Sequence, residues 1–195
     1  MSTRVRLSAE QRREQLLDLG VRLFARMSVE DLSVDVLAQE AGVSRGLLYH
    51  YFGDKQGFRE AVVRRAAADL VEQTAPAATG DSLERLRQSM TAYLSFVEAN
   101  YEGYLSLVRG AASDPTLREV YDEARAALTD RIFVSDDSGL IPDTPAVRLL
   151  VSGWSAMAEE LVLSWVAEPG EVTREELVQL LGSSLPALVG VVSHP

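Results

Sequence analysis

SVDVLAQEAGVSRGLLYHYFGDK, Ser33 to Lys55, decides how the rest of the chain is read. A serine precedes each of two short apolar-periodic runs: one helix is predicted from after Ser33 to before Gly42, a second from after Ser44 to about Tyr51. Gly42 supplies the left-handed residue on which the first helix stops sharply, so that the second crosses it at a steep angle. Val36, Leu37, Ala41, Val43 and Leu48 are placed to pack the two together, and Ala38 is small where the backbones approach. This is the spacing of a helix-turn-helix.

Helical periodicity continues outward on both sides, and no stretch alternates with period two. Ser8 and Gln11 form a capping-box pattern for a first helix from Ser8 to Met27, with Leu16, Gly20, Leu23, Phe24 and Met27 on one face. Gly53-Asp54 breaks the chain after the pair, and Asp54 caps a helix from Lys55 to about Gln73. The run Ala75–Asp81 reads as a loop. Asp81 and Glu84 open a helix that continues or kinks through Tyr101 to Gly110, and Asp114-Pro115 starts another to about Phe133. After a loop over 135–144, Thr144-Pro145 opens a long helix ended by Pro169-Gly170. Thr173 and Glu176 open the last helix, in which Pro186 predicts a kink or a break. The fold class expected is all-α, about nine helices. Residues 1–54 form a three-helix DNA-binding domain, 55–74 its connecting helix, and 75–195 a larger helical domain.

Composition narrows the function. The 195 residues are 47% hydrophobic and 25% charged, as a globular chain should be. Cysteine is absent, which removes disulfides, thiolate metal sites and cysteine nucleophiles. The net charge of −10 opposes nucleic acid only as a sum, because residues 1–65 carry 11 basic and 9 acidic side chains while 66–195 carry 8 and 20. The N-terminal third is thus mildly basic. No continuous apolar run reaches the roughly 18 residues of a membrane span, and Met1–Arg6 leads into charged sequence rather than a signal peptide's apolar core. A cytoplasmic protein without a membrane segment is expected. The histidines are His50 and His194, carboxylates such as Glu159-Glu160 are adjacent rather than paired across a helix face, and neither a phosphate loop nor metal-ligand spacing occurs. An enzyme is therefore not expected, nor a metal or cofactor.

Ala41–Lys55 closely resembles the most diagnostic stretch of the TetR family of transcriptional regulators, and the resemblance extends over about residues 8–65. It implies that Tyr49, His50, Tyr51 and Phe52 end the recognition helix, with Phe24 packed beneath it. Chemistry assigns roles within the motif. Arg45 opens the recognition helix, where a guanidinium reaches guanine O6 and N7 or a phosphate. Gly46 leaves room for close approach and Leu47 touches a thymine methyl, while Tyr49 and His50 point toward bases or backbone. Ser33, Ser44 and Lys55 stand at helix starts, where phosphates bind. Lys55 is the only lysine beside 18 arginines, and it stands where the family's phosphate-binding lysine belongs. Tyr51 and Phe52 are expected in the core.

In the C-terminal part the resemblance implies a cavity among the middle helices for a small hydrophobic or aromatic effector. Its candidate lining is Tyr93, Phe96, Tyr101, Tyr104, Arg109, Tyr121, Trp154 and Met157, all of which ordinary core packing would also explain. Arg109 lies in an apolar run, to be paired by a carboxylate or by an anionic ligand group. The last two helices, with Gly153, Gly182, Ser183 and Ser184 permitting close approach, are the dimerisation candidates. A homodimer matches a palindromic double-stranded operator, because one recognition helix reads only a few base pairs. The expected function is a DNA-binding repressor released by its effector; the alternative gives the C-terminal domain a protein partner or no ligand.

Overall fold

The computed structural model describes residues 8–77 and 79–193, and among these the only regular structure is helical. Nine helices follow in order: α1 Ala9–Phe24, α2 Val34–Ala41, α3 Arg45–Phe52, α4 Lys55–Gln73, α5 Ser82–Ala99, α6 Tyr101–Gly110, α7 Pro115–Val134, α8 Pro145–Ala167 and α9 Arg174–Ser193. His194 lies outside the described residues, as does the start of the chain before Ser8.

The predicted caps form. Ser8 Oγ accepts from Gln11 N at 3.1 Å while Gln11 Oε1 accepts from Ser8 N at 2.9 Å. Thr173 and Glu176 exchange the same reciprocal pair at the start of α9, and Thr144 caps α8 with Pro145 in its first turn.

One boundary differs from expectation, and the structure narrows the alternatives at two others. First, α1 ends at Phe24 rather than Met27. Just beyond, Ser28 Oγ bonds Asp31 at 2.8 Å, and Arg59 Nε donates to Leu32 O at 2.9 Å, so local side-chain bonds and an arginine from α4 hold the turn that replaces the last helical residues. Second, the helix after Asp81 breaks at Asn100, whose Nδ2 takes the Phe96 carbonyl at 2.8 Å. Third, α9 runs through Pro186 without a break. In the turn before it, Ser183 Oγ donates to Gln179 O at 2.7 Å and Ser184 Oγ to Leu181 O at 3.1 Å, while the carbonyl that Pro186 leaves without an amide partner is that of Gly182.

The chain divides into two compact units, cut elsewhere than at the Ala75–Asp81 loop. The first joins the residues up to Ala68 with Glu102–Tyr121, so that α6 and the start of α7 belong with the helix-turn-helix. The reason lies at Gly103, where a Cβ would collide with the Phe24 carbonyl oxygen and lie 2.7 Å from the Phe24 ring. Close by, Val29 N donates to Ser106 Oγ at 2.9 Å and Ser106 Oγ donates to Glu30 at 2.8 Å, fastening α6 to the turn after α1. Arg64 of α4 reaches Glu119 of α7 at 3.0 Å.

The second unit holds Asp69–Tyr101 and the chain from Asp122 onward. Here α9 packs on α5 and α8, burying Val151, Trp154, Ala158 and Val162 of α8 against Leu177, Leu181, Leu185 and Val189 of α9. Arg85 of α5 donates to the Gly80 and Ser135 carbonyls and to Asp137, which anchors the 135–144 loop.

Candidate nucleic-acid interface

The serine before each helix of the motif caps it: Ser33 Oγ accepts from Val36 N and Ser44 Oγ from Leu47 N, both at 3.3 Å. Gly42 closes α2 at φ 63°, the left-handed conformation that its position in the turn requires. Leu37 and Leu48 are fully buried between the helices, and Phe52 is buried with its ring 5.3 Å from that of Phe58. Tyr51 is half-buried. The short recognition helix is thus fixed from below by Leu48 and Phe52.

Its other side faces out. Ser44, Arg45, Gly46, Tyr49 and His50 are exposed and Leu47 half-exposed, with Tyr49 retaining 45% of its accessible surface. Lys55 is exposed at the start of α4, whose first turn is capped by Asp54 Oδ1 accepting from Gly57 N at 2.8 Å. Ser33 is half-buried, its hydroxyl already engaged as a cap. The structure therefore collects Ser44, Arg45, Gly46, Tyr49 and His50 on one short helix, with Leu47 at its edge. One partner on this surface escapes a linear reading: Asp35, in the first turn of α2, pairs with the Arg45 guanidinium. The two stand ten positions apart and meet only because the helices cross.

A capped pair of short helices that exposes an arginine, a phenol and an imidazole has the geometry of a DNA-reading unit. Residues 16–62 match the family model described as "Bacterial regulatory proteins, tetR family", and residues 82–188 match one described as "Tetracyclin repressor-like, C-terminal domain". The chain belongs to the TetR family. It is 32% identical to a TetR-family transcriptional regulator from Streptomyces coelicolor of known structure, with a TM-score of 0.85 over 96% of this chain and 84% of that one. It is 28% identical over 179 residues to the HTH-type transcriptional activator FasR of Mycolicibacterium smegmatis, covering 89% of this chain and 81% of FasR. It is 26% identical over 186 residues to the HTH-type transcriptional regulator BetI of Burkholderia thailandensis, covering 92% and 94%. As a TetR-family member the chain is a DNA-binding transcriptional regulator, in a family of regulators rather than enzymes.

The residues proposed for an effector are divided between the two units. Tyr104 is buried in the first, with Tyr121 half-buried and Arg109 exposed at the end of α6. In the second, Tyr93, Phe96 and Trp154 are buried, Tyr101 is half-buried and Met157 is 39% exposed on α8. Trp154 Nε1 donates to Ser184 Oγ at 2.9 Å, so its polar atom already serves the α8–α9 contact. Gly182 likewise faces Arg87 of α5, whose Cβ would stand 3.9 Å from an added methyl. What remains open on α8 is a stripe at helical spacing, Leu149, Gly153, Ala156, Met157 and Glu160, and on α9 another, Leu180, Ser183, Ala187 and Val191. Leu149 and Val191 are 78% and 76% exposed.

These two helices are long and apolar enough, by length and composition, to cross a membrane, with mean hydropathy 1.2 and 1.3 over their best windows. Neither helix is an unbroken apolar run, since Ser, Gly and Glu interrupt stretches whose average is nonetheless high. One side of each helix is packed in the second unit and carries the Trp154–Ser184 hydrogen bond. Glu159 and Glu160 lie well inside α8.

Proposed function

We propose that the chain binds a palindromic operator as a homodimer in the cytoplasm, and that a small hydrophobic or aromatic effector in the C-terminal helical part releases it. The observation that carries the reading is the outward face of α3, where Arg45, Gly46, Tyr49 and His50 stand exposed on a helix locked from beneath. The dimer is supported by the exposed apolar and small-residue stripes of α8 and α9, which suit a four-helix contact between two copies. Two recognition helices then read half-sites roughly 34–36 Å apart. The effector reading is supported by the aromatic side chains of the second unit, above all Tyr93 and Phe96 of α5 and Trp154 of α8. The effector acts by favouring a dimer in which the recognition helices are wrongly spaced. No catalytic step and no metal or cofactor enters this scheme.

Repression follows where the operator overlaps a promoter. FasR carries the name of an activator, so a reporter driven from the recovered operator reads the sign directly. The effector is tested by thermal unfolding across a panel of hydrophobic and aromatic compounds: a ligand at about 100 times its Kd stabilises by about 2.7 kcal/mol, and the same compound lowers operator affinity. Failure across a broad panel favours a protein partner or no ligand at all.

A further inference from the structure

Arg45 is the first residue of α3, and its guanidinium is met through Nε by the carboxylate of Asp35. Both side chains stay exposed, at 67% and 59%. An exposed pair of this kind adds little stability, so its consequence lies in what the surface meets. A phosphate clamp works by unneutralised positive charge, and a carboxylate beside it cancels that charge and repels the DNA backbone. A pair without net charge is a poor phosphate clamp. It remains fully able to read a base edge.

The edge left available decides which. A guanidinium presents two pairs of N–H groups, one using Nε and the other using Nη1 and Nη2. Asp35 stands on the Nε side as an ion pair, and among the described residues no hydrogen bond engages Nη1 or Nη2 of Arg45. The Nη1/Nη2 edge is free, and its two N–H groups match guanine O6 and N7 in the major groove. Asp35 is held from its own side as well, since the first turn of a helix favours a carboxylate and α2 is capped by Ser33. With Ser44 fixing the start of α3, both partners are anchored to capped helix ends.

We infer that Arg45 reads a guanine in each half-site, and that Asp35 is the positioning residue that turns it from phosphate binding to base reading. The inference rests on the DNA-binding reading above and adds a determinant of operator sequence to it.

The test starts by selecting operators from random duplexes with the full-length chain. If the wild-type chain enriches no sequence, the DNA-binding reading fails first and this inference with it. With an operator in hand, affinities of the wild type and of Arg45→Ala, Arg45→Lys, Asp35→Asn and Asp35→Glu are measured on it and on its single-base variants between 50 and 200 mM salt. The wild type should prefer guanine at one base pair per half-site by roughly 5- to 150-fold. Arg45→Ala and Arg45→Lys should abolish that preference, Asp35→Asn should lower it by about fivefold or more at the same base pair only, and Asp35→Glu should keep part of it. The opposite pattern overturns the inference: Arg45→Ala weakening all variants alike and flattening the salt slope by about 0.9 per half-site, with Asp35→Asn tightening all alike. A loss of preference at every position in Asp35→Asn would make Asp35 a structural residue and overturn it equally.

Discussion

The side chains exposed on α3 and at the start of α4 differ in chemistry, and single substitutions separate the contacts they would make. Lys55 is the one lysine of the chain and stands exposed at the N-terminus of α4, beside unpaired backbone N–H groups that favour an anion. A phosphate bound there would account for a cation where the helix dipole alone would disfavour one. Lys55→Ala should weaken binding to all sequences alike and flatten the slope of log K against log salt by about 0.9 per half-site. Tyr49→Ala removes a phenol that is 45% exposed. It should also weaken operator binding, with a position-dependent loss if the ring touches a base. Both positions lie outside the core, so the thermal midpoint should move little, within about 0.5 kcal/mol of stability. Normal operator binding by both variants would remove this face from the interface.

Elements are joined by features of different visibility. Gly103 lets α6 rest against Phe24 at the end of α1. Gly103→Ala sets a methyl against a backbone oxygen, which cannot swing aside as a side chain would. A loss of about 1–3 kcal/mol is expected, at the upper end or beyond because backbone must move, and calorimetry should place it in the unit that carries the helix-turn-helix. The 135–144 loop is held electrostatically: a hydrogen bond from Arg85 draws the Asp137 carboxyl below its ordinary range, and one from Arg148 does the same for Asp143. Carboxylates depressed in the folded state stabilise it above their unfolded value of about 3.9, and that contribution is lost as pH falls further, through the folded value. The thermal midpoint should therefore be insensitive to these groups from pH 7 to about 5 and drop below about pH 4, less steeply in Asp137→Asn. Caps, turns and periodic apolar faces were legible in the sequence because they are local: Ser8 with Gln11, Ser33, Gly42, Ser44, Thr173 with Glu176. The attachment of α6 to the first unit, the Asp35–Arg45 pair and the bonding of Trp154 to Ser184 were not. Each joins residues through a crossing of helices, which no spacing along the chain encodes. Of the two outcomes Pro186 allowed, a kink or a break, the break does not occur, because one missing N–H leaves the rest of the α9 ladder in place.

At the scale of the whole molecule, α8 and α9 each have two faces with separate duties. Their buried stripes hold the second unit together, and the stripes left over cover surface that a monomer has no reason to make apolar. Small residues interleave with the large ones, and Gly153 and Gly190 have nothing within 4 Å of where a Cβ would stand, so within one subunit a side chain would fit at either position. Between two subunits it would not, if these faces meet. Gly153→Leu should accordingly leave the folded subunit intact while splaying the contact, and Leu149→Arg should set a charge within it. Both should shift sedimentation from dimer to monomer and lower operator affinity by a hundredfold or more, about 3 kcal/mol, because each monomer holds only one recognition helix. Val134→Arg provides the matching control: it adds the same charge to a residue 86% exposed in the same unit but outside α8 and α9. If Leu149→Arg stays dimeric and binds the operator as Val134→Arg does, the two copies meet through another surface.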